Sequence, residues 1–354
     1  MMTMRYLNDF LRQADFNYVV YDMGRRIVRL TPQQFIQFEN TTIAYPTPLQ
    51  QHAWLGILGW TKDDKTRHFI WFIKLPLDEL GKINPLARDE LLQYLVEQLG
   101  QQLLLSEGNA TAEVEASALP HGFTPGEESM AMFHAKAAKH LGQPASRFYK
   151  HAQEYLSGKQ GYEQWAFVGM QGLADVTARL NQHDNQELLQ QALPHLPIQP
   201  FAQVCRFLEH ETISPQLAKI IINRTDNELE TDNYRDTVVS SLRAIAGCTD
   251  QDVRQAFIHK VLTAAYGKDV EVLAAISGRC WEDLKDKELC RLYLNNLAIN
   301  NSGQTGFTHL LMDLLMIPGM REPIMQGLRD PDRSKELAQA MGQFFSKLGA
   351  APGG

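Results

Sequence analysis

From about residue 130 to the end, apolar side chains recur at helical spacing and no stretch reads as a strand. Phe201, Val204, Cys205 and Leu208 follow the i, i+3, i+4, i+7 pattern of a one-sided helix, and so do Cys290, Tyr293, Leu294 and Leu297. Leu337, Met341 and Phe344, with Leu348 a turn further on, repeat the pattern near the end. Breaks are frequent: "LPHLPIQP" at Leu193–Pro200, "SPQ" at Ser214, "GCTDQD" at Gly247, "IPG" at Ile317 and "RDPD" at Arg329. Thr249 with Asp252 resembles a capping box, with Asp in place of Glu or Gln. Alternate helices are expected to begin near residues 163, 199, 233, 269 and 304. That spacing, roughly 35, is the size of a two-helix repeat in a solenoid. The segments share no residue-by-residue similarity, so such repeats are degenerate, and a compact all-α bundle is the alternative.

The first 105 residues have a different grammar. Met4–Ala14 reads as a short helix with Leu7, Phe10 and Leu11 on one face. Phe16–Tyr21 and Arg26–Leu30 are β-prone runs around Met23–Gly24, a hairpin signal. "TPQQFIQFE" offers Thr31 as N-cap and Pro32 at the first helical position. His52–Trp60 and Arg67–Leu75 read as a second hairpin around the polar turn "TKDDK", and "NPLARDELLQYLVEQLGQQLL" as a long amphipathic helix begun by Asn84 and Pro85. The order α-β-β-α-β-β-α implies an antiparallel sheet with helices packed on it. In the second hairpin both faces are apolar: Trp54, Leu58, Trp60, Ile70 and Phe72 on one set of positions, Leu55, Ile57, Phe69, Trp71 and Ile73 on the other. Both faces therefore need cover. A twofold mate seated on the sheet, giving a homodimer, is one expected solution, and the chain's own helical region is the other.

Net charge is −7 and unevenly placed. Residues 1–105 hold 11 basic and 11 acidic side chains, residues 106–128 hold 5 acids and no base, and the remainder holds 23 bases and 25 acids. Without a basic excess in either half, sequence-independent binding to duplex nucleic acid is not expected, because such affinity comes from neutralising many phosphates. The uncharged run Asn40–Thr61 carries Pro46, Pro48, Gln50, Gln51 and His52, so it does not read as a membrane span. The four cysteines, Cys205, Cys248, Cys280 and Cys290, form no CxxC and fit a reducing compartment. The start lacks a signal-peptide core, and a cytoplasmic location is the simplest expectation.

The chemical motifs are weak. In "VVYDMGRRIVRL" a glycine beside arginines suggests an anion cradle, but strand rather than helix follows Gly24, so a hairpin turn is the reading. Strand alternation would send Arg25 and Arg29 to one side and Arg26 to the other. "SMAMFHAKAAKHLGQPASRFYKHAQ", residues 129–153, holds Lys136, Lys139, Arg147 and Lys150 with no acid. His134, His140 and His151 add charge at low pH, but His134 and His140 are six apart, the wrong spacing for one helical face, so no metal site is expected. "DNELETDNYRD" alternates acids like a calcium loop, yet Thr231 stands where the turn glycine belongs and Thr237 where the bidentate Glu belongs. It reads as an inter-helix loop. No GxSxG, HExxH or glycine-rich phosphate loop occurs. Met312, Met316, Met320 and Met325 read as core rather than as an adaptable groove.

With "YDMGRRIVRL", "GLADVTARL", "LLQQALPHLP" and "CRFLEHETIS", the chain resembles, over nearly its whole length, a bacterial family known only as a domain of unknown function. The resemblance implies a bacterial cytoplasmic protein and supplies no activity, catalytic residue or cofactor. The expectation is an α+β N-terminal domain (antiparallel four-stranded sheet with helices) at residues 1–105, an acidic linker or irregular segment at 106–129, and an all-α, degenerate helical-repeat (HEAT-like) domain at 130–354. With no catalytic constellation and no cofactor signature, the expected function is a non-enzymatic protein-interaction or scaffold role with an unknown protein partner. The alternative is an enzyme or small-molecule sensor with a pocket between the two domains. The candidate interaction surface is cationic: Lys136, Lys139, Arg147, Lys150, Arg25 and Arg29.

Overall fold

The computed structural model describes residues 5–14, 16–99, 119–228 and 234–349. Most of the expected acidic linker, and residues 229–233 of the acid-rich "DNELETDNYRD" stretch, lie outside the described residues. The chain forms two compact units, one of Met1–Pro144 with Met316–Pro318 and one of Ala145–Leu315 with Gly319–Gly354.

The first unit opens with α1 (Leu7–Gln13), β1 (Phe16–Asp22), β2 (Val28–Arg29) and α2 (Pro32–Glu39). The long hairpin β3 (His52–Thr61) and β4 (His68–Pro76) follows, then α3 (Pro85–Tyr94), which runs on as a π turn over Leu95–Leu99. The strands form one antiparallel sheet in the order β2-β1-β3-β4. The starts of α2 and α3 follow from local chemistry. Thr31 and Gln34 cap each other reciprocally ahead of Pro32, and Asn84 accepts from the Leu86 and Ala87 amides ahead of Pro85.

Period-two alternation divides the hairpin between two cores. Leu55, Ile57, Phe69, Trp71 and Ile73 pack under Phe10 and Leu11 of α1, Phe35 and Phe38 of α2, and Leu91 of α3. The opposite face is closed by α4 (Glu127–Leu141), whose fully buried Phe133 stands edge-on to Tyr21 and Phe72 at centroid distances of 5.4 and 4.9 Å. Phe123, just upstream, stands edge-on to Trp54 and Phe72. A glycine on each face of β3 makes room for a ring: a Cβ on Gly56 would sit 2.6 Å from the Phe133 ring on this face, and one on Gly59 would sit 2.1 Å from the Phe69 ring on the other. Thus α4, expected with the helical region, packs on the sheet within the first compact unit. The apolar face from which a homodimer was expected is covered by the chain's own helix.

The second unit is helical: α5 (Tyr149–Leu156), α6 (Met170–Ala178), α7 (Asn185–Ala192), α8 (Ile198–Leu208), α9 (Pro215–Glu228), α10 (Tyr234–Ile245), α11 (Gln251–Thr263), α12 (Val270–Arg279), α13 (Lys287–Ala298), α14 (Gly303–Leu315), α15 (Arg321–Leu328) and α16 (Lys335–Gly349). Each packs on the helix two along: α6 on α8, α8 on α10, α10 on α12, α12 on α14 and α14 on α16, with a parallel series from α5 through α15. Helices i and i+2 therefore pack side by side along this unit. The helices starting at Ile198, Tyr234, Val270 and Gly303 match the expected spacing; the expected start near 163 is a 3₁₀ turn, Glu163–Phe167, and its helix begins at Met170. The cap of α11 is Asp250, one residue beyond the expected Thr249; its side chain accepts from the Asp252 and Val253 amides at 3.1 and 3.2 Å. All four cysteines are buried and free, and Met320 is fully buried while Met312, Met316 and Met325 are half-buried. Among the described residues no helix is long and apolar enough to cross a membrane.

Candidate functional site

Of the six cations expected to form a surface, Arg25 is buried and the other five are divided between the two compact units. Arg25 is fully buried and donates from Nε to the Pro48 carbonyl at 2.9 Å. Strand alternation does not apply to it because β2 begins only at Val28, which leaves Met23–Ile27 as a loop. Gly24 in that loop is neither left-handed nor an anion cradle: a Cβ there would meet Trp54 at 3.2 Å, and its amide donates to Asp22 Oδ1. Arg29 is exposed on β2. Lys136 and Lys139 are half-buried on α4, in the first unit. Arg147 and Lys150 are exposed at the start of α5, in the second.

To Arg147 and Lys150 the structure adds what the charge pattern omitted, exposed aromatic rings: Phe148 between them, whose ring sits against Gly169, and Trp165 and Phe167 in the 3₁₀ turn Glu163–Phe167 that precedes that glycine. Phe148 is 38% exposed, Trp165 37% and Phe167 76%. The Arg147 guanidinium lies 4.8 Å from the centre of the Phe148 ring. The backbone beneath these rings is fixed. Buried Asp175 on α6 accepts from the Ser146 amide at 3.0 Å and from Arg179 at 2.6 Å, tying the entry to α5 down onto α6. A Cβ on Gly172 would lie 2.5 Å from the Phe148 carbonyl, so only glycine lets that backbone approach, and the Phe148 ring sits against Gly169. Buried Asn185 accepts from Gln153 at 2.9 Å and donates to the Arg179 carbonyl at 2.8 Å and to the Tyr149 hydroxyl, joining α5 to α7. Aromatic and arginine side chains of this kind dominate the energetics of protein interfaces.

Elsewhere, three of the perturbed acids, Asp22, Glu39 and Glu209, are enclosed. Burial pushes Asp22 up to about 6, against hydrogen bonds from the Tyr45 hydroxyl at 2.7 Å and the Gly24 amide. Burial likewise pushes Glu39 up to about 7, although it accepts from the first amides of α1, Leu7 at 2.7 Å and Asn8 at 3.1 Å. Glu209, just past α8, behaves oppositely. Burial would raise it, but Arg279, His210 and Arg243 outweigh that and hold it down at about 2. Arg243 of α10 binds it through both Nε and Nη2, at 2.6 and 2.9 Å, and Arg279 of α12 through Nε at 2.9 Å. Three successive helices of one stack are thus joined through a single carboxylate. Among the described residues no three His, Cys, Asp or Glu side chains gather as a metal site, and Asp226 of the calcium-like stretch instead pairs with Lys260 at 2.6 Å.

Sequence reasoning missed Phe148, Trp165, Phe167 and Glu209. One signal pointed to the aromatic group: "EQWAFVG" is an aromatic run without helical period, set between Gly161 and Gly169. No comparable signal marks Glu209, whose partners lie 34 and 70 residues away.

No curated protein and no solved structure matches the chain. One family model does, over residues 2–345, nearly the whole length and both compact units. The chain belongs to that family, described as a protein of unknown function, DUF3549.

Proposed function

We propose that the protein is a non-enzymatic interaction or scaffold protein of the bacterial cytoplasm. Its HEAT-like helical stack presents Phe148, Trp165 and Phe167, flanked by Arg147 and Lys150, to a protein partner. The observation that carries this reading is the exposure of Phe167, 76%, with Trp165 exposed in the same 3₁₀ turn and Phe148 exposed on backbone fixed by Gly172 and Asp175, its ring against Gly169. Large rings in water are costly unless a partner covers them, and a rigid frame keeps the entropy of binding low. The basic character of the rim favours a partner with acidic residues around an apolar centre. The test is an affinity capture from a bacterial host, read by quantitative mass spectrometry, with wild-type protein and a Trp165→Ala, Phe167→Ala variant. A specific partner retained by the wild type and lost at least tenfold by the variant, with the circular dichroism unchanged, is the expected result. An identical partner set for both proteins would overturn the reading.

A further inference from the structure

The first edge of the sheet is only partly paired. β1 has seven residues and β2 two, with register Tyr21↔Arg29 and Asp22↔Val28. Met23 donates to the Trp54 carbonyl at 2.8 Å, which sets the parity of the ladder toward β3. Backbone groups of successive residues alternate in direction. Tyr21, Val19 and Asn17 therefore turn theirs to β3, and Val20, Tyr18 and Phe16 turn theirs outward. The Val20 carbonyl is met by the Leu30 amide at 2.9 Å, and the chain then turns away into α2. Beyond that point, among the described residues, no backbone group pairs with Tyr18 or Phe16 on the outer side. Folded proteins normally blunt or cover such an edge, because it is a template for another strand.

A groove of about 210 Å³ runs along this stretch, between α1, β1 and the start of α2. Asn17, Tyr18 and Phe35 line it, with Ile36 exposed at its side. Arg12 and Arg29 also line it and both are exposed; among the described residues no carboxylate lines it, although the charges of Glu39 and Asp9 act on Tyr18. Neither arginine forms an ion pair among the described residues. The surroundings on the α4 side are cationic too. His140, packed edge-on to Trp60 at 5.4 Å, is held below the ordinary histidine range by burial and then by the charges of Arg29 and Lys65. Asp63 and Asp64 share the turn with Lys65, and Asp64 is occupied by hydrogen bonds from Thr66.

We infer that the open stretch of β1, Phe16–Val19, is a strand-addition site for an extended acidic segment of a protein partner. Main-chain pairing to Tyr18 and Phe16 supplies the bonding, and alternate side chains meet the groove. Two arginines that form no ion pair among the described residues select for acid, and Ile36 selects for an apolar residue between acids. A second copy is disfavoured at this edge, because edge-to-edge pairing would bring Arg12 and Arg29 of both copies together. The site lies in a different compact unit from the aromatic surface and does not depend on it.

The probe is a fluorescein-labelled octapeptide alternating Glu and Val, with a Lys–Val octapeptide as control, titrated against the full chain by anisotropy. The acidic peptide is expected to bind, to weaken with salt, and to protect the Tyr18 amide from hydrogen exchange. Arg12→Glu with Arg29→Glu should lower its affinity at least tenfold, and Arg12→Gln with Arg29→Gln should lower it less, with unchanged circular dichroism. Trp165→Ala with Phe167→Ala should leave it unaltered, which separates this site from the aromatic one. Equal binding of both peptides, or protection away from β1, would overturn the inference. So would concentration-dependent protection of Tyr18 without peptide together with a dimeric mass by light scattering, since that would assign the edge to a second copy.

Discussion

The two compact units bury their carboxylates in opposite ways. In the α+β unit, Asp22 and Glu39 are surrounded chiefly by neutral donors: a tyrosine hydroxyl and three backbone amides. Burial dominates both and raises them to about 6 and 7, with Arg25 the last of the causes that oppose the shift at Asp22. In the helical unit Glu209 is as deeply buried, yet two arginines and a histidine hold it at about 2. Asp283 lies between these cases. Its bidentate pair with Arg254, both bonds at 3.0 Å, does not offset burial, which still raises it. A neutral hydrogen bond satisfies an oxygen's geometry without replacing the hydration an ion loses; opposite charge does more, and at Glu209 it takes more than one. The α+β unit is accordingly held by apolar closure on two faces, and the helical unit adds charge carried between its helices.

The largest expected effect tests apolar closure. Phe133→Ala should destabilise the α+β unit by about 4 kcal/mol, the cost of a cavity left by a buried ring. Hydrogen exchange resolved by segment should show the loss between residues 16 and 76 and little change with salt; a loss confined to the helical unit would break the comparison. Glu209→Gln should come next, at about 3 kcal/mol, because Arg243 and Arg279 keep their charge while losing its partner. That loss should register as faster exchange in α8, α10 and α12 together.

The pH dependence should have opposite signs in the two units. Asp22 and Glu39 have folded values above their unfolded ones, so their contribution is complete below about pH 4 and is lost as pH rises through about 6 to 7. Glu209 has a folded value below its unfolded one, so its contribution is present above about pH 4.5 and is lost as pH falls toward 2. Exchange at β1 and α1 should therefore slow between pH 8 and 5 after correction for intrinsic rates, while the α8–α12 stack loosens below pH 4. The same sign in both units would contradict the contrast. Smaller still is Thr31→Ala, which removes the cap of α2 and should cost about 1 kcal/mol in thermal unfolding. Smallest is Phe167→Ala: an exposed ring should change stability by under about 0.5 kcal/mol, and a larger loss would mean the ring belongs to the fold rather than to a partner.

Much of this architecture is local and so could be read from neighbouring residues. Caps at Thr31 and Asn84, the "TKDDK" turn, alternation in β3 and β4, and the recurrence of helix starts near every 35 residues each depend on a few adjacent positions. Of the site, Arg147 and Lys150 were legible as cations without acids. Their aromatic neighbours were not, because "EQWAFVG" reads equally well as buried turn or exposed surface until Gly169 and Gly172 are seen against Phe148. Strand alternation misplaced Arg25, since a buried loop, not a strand, carries it.

The sequence by itself determined the elements and the order in which they occur, because hydrophobic period, caps and turn residues act over one or two helical turns. Tertiary structure alone decided which helix closes the second face of the sheet, which edge of β1 stays open, and that Glu209 meets Arg243 and Arg279. Those outcomes depend on surfaces brought together from residues tens of positions apart, whose burial and charge balance exist only once the layers have packed.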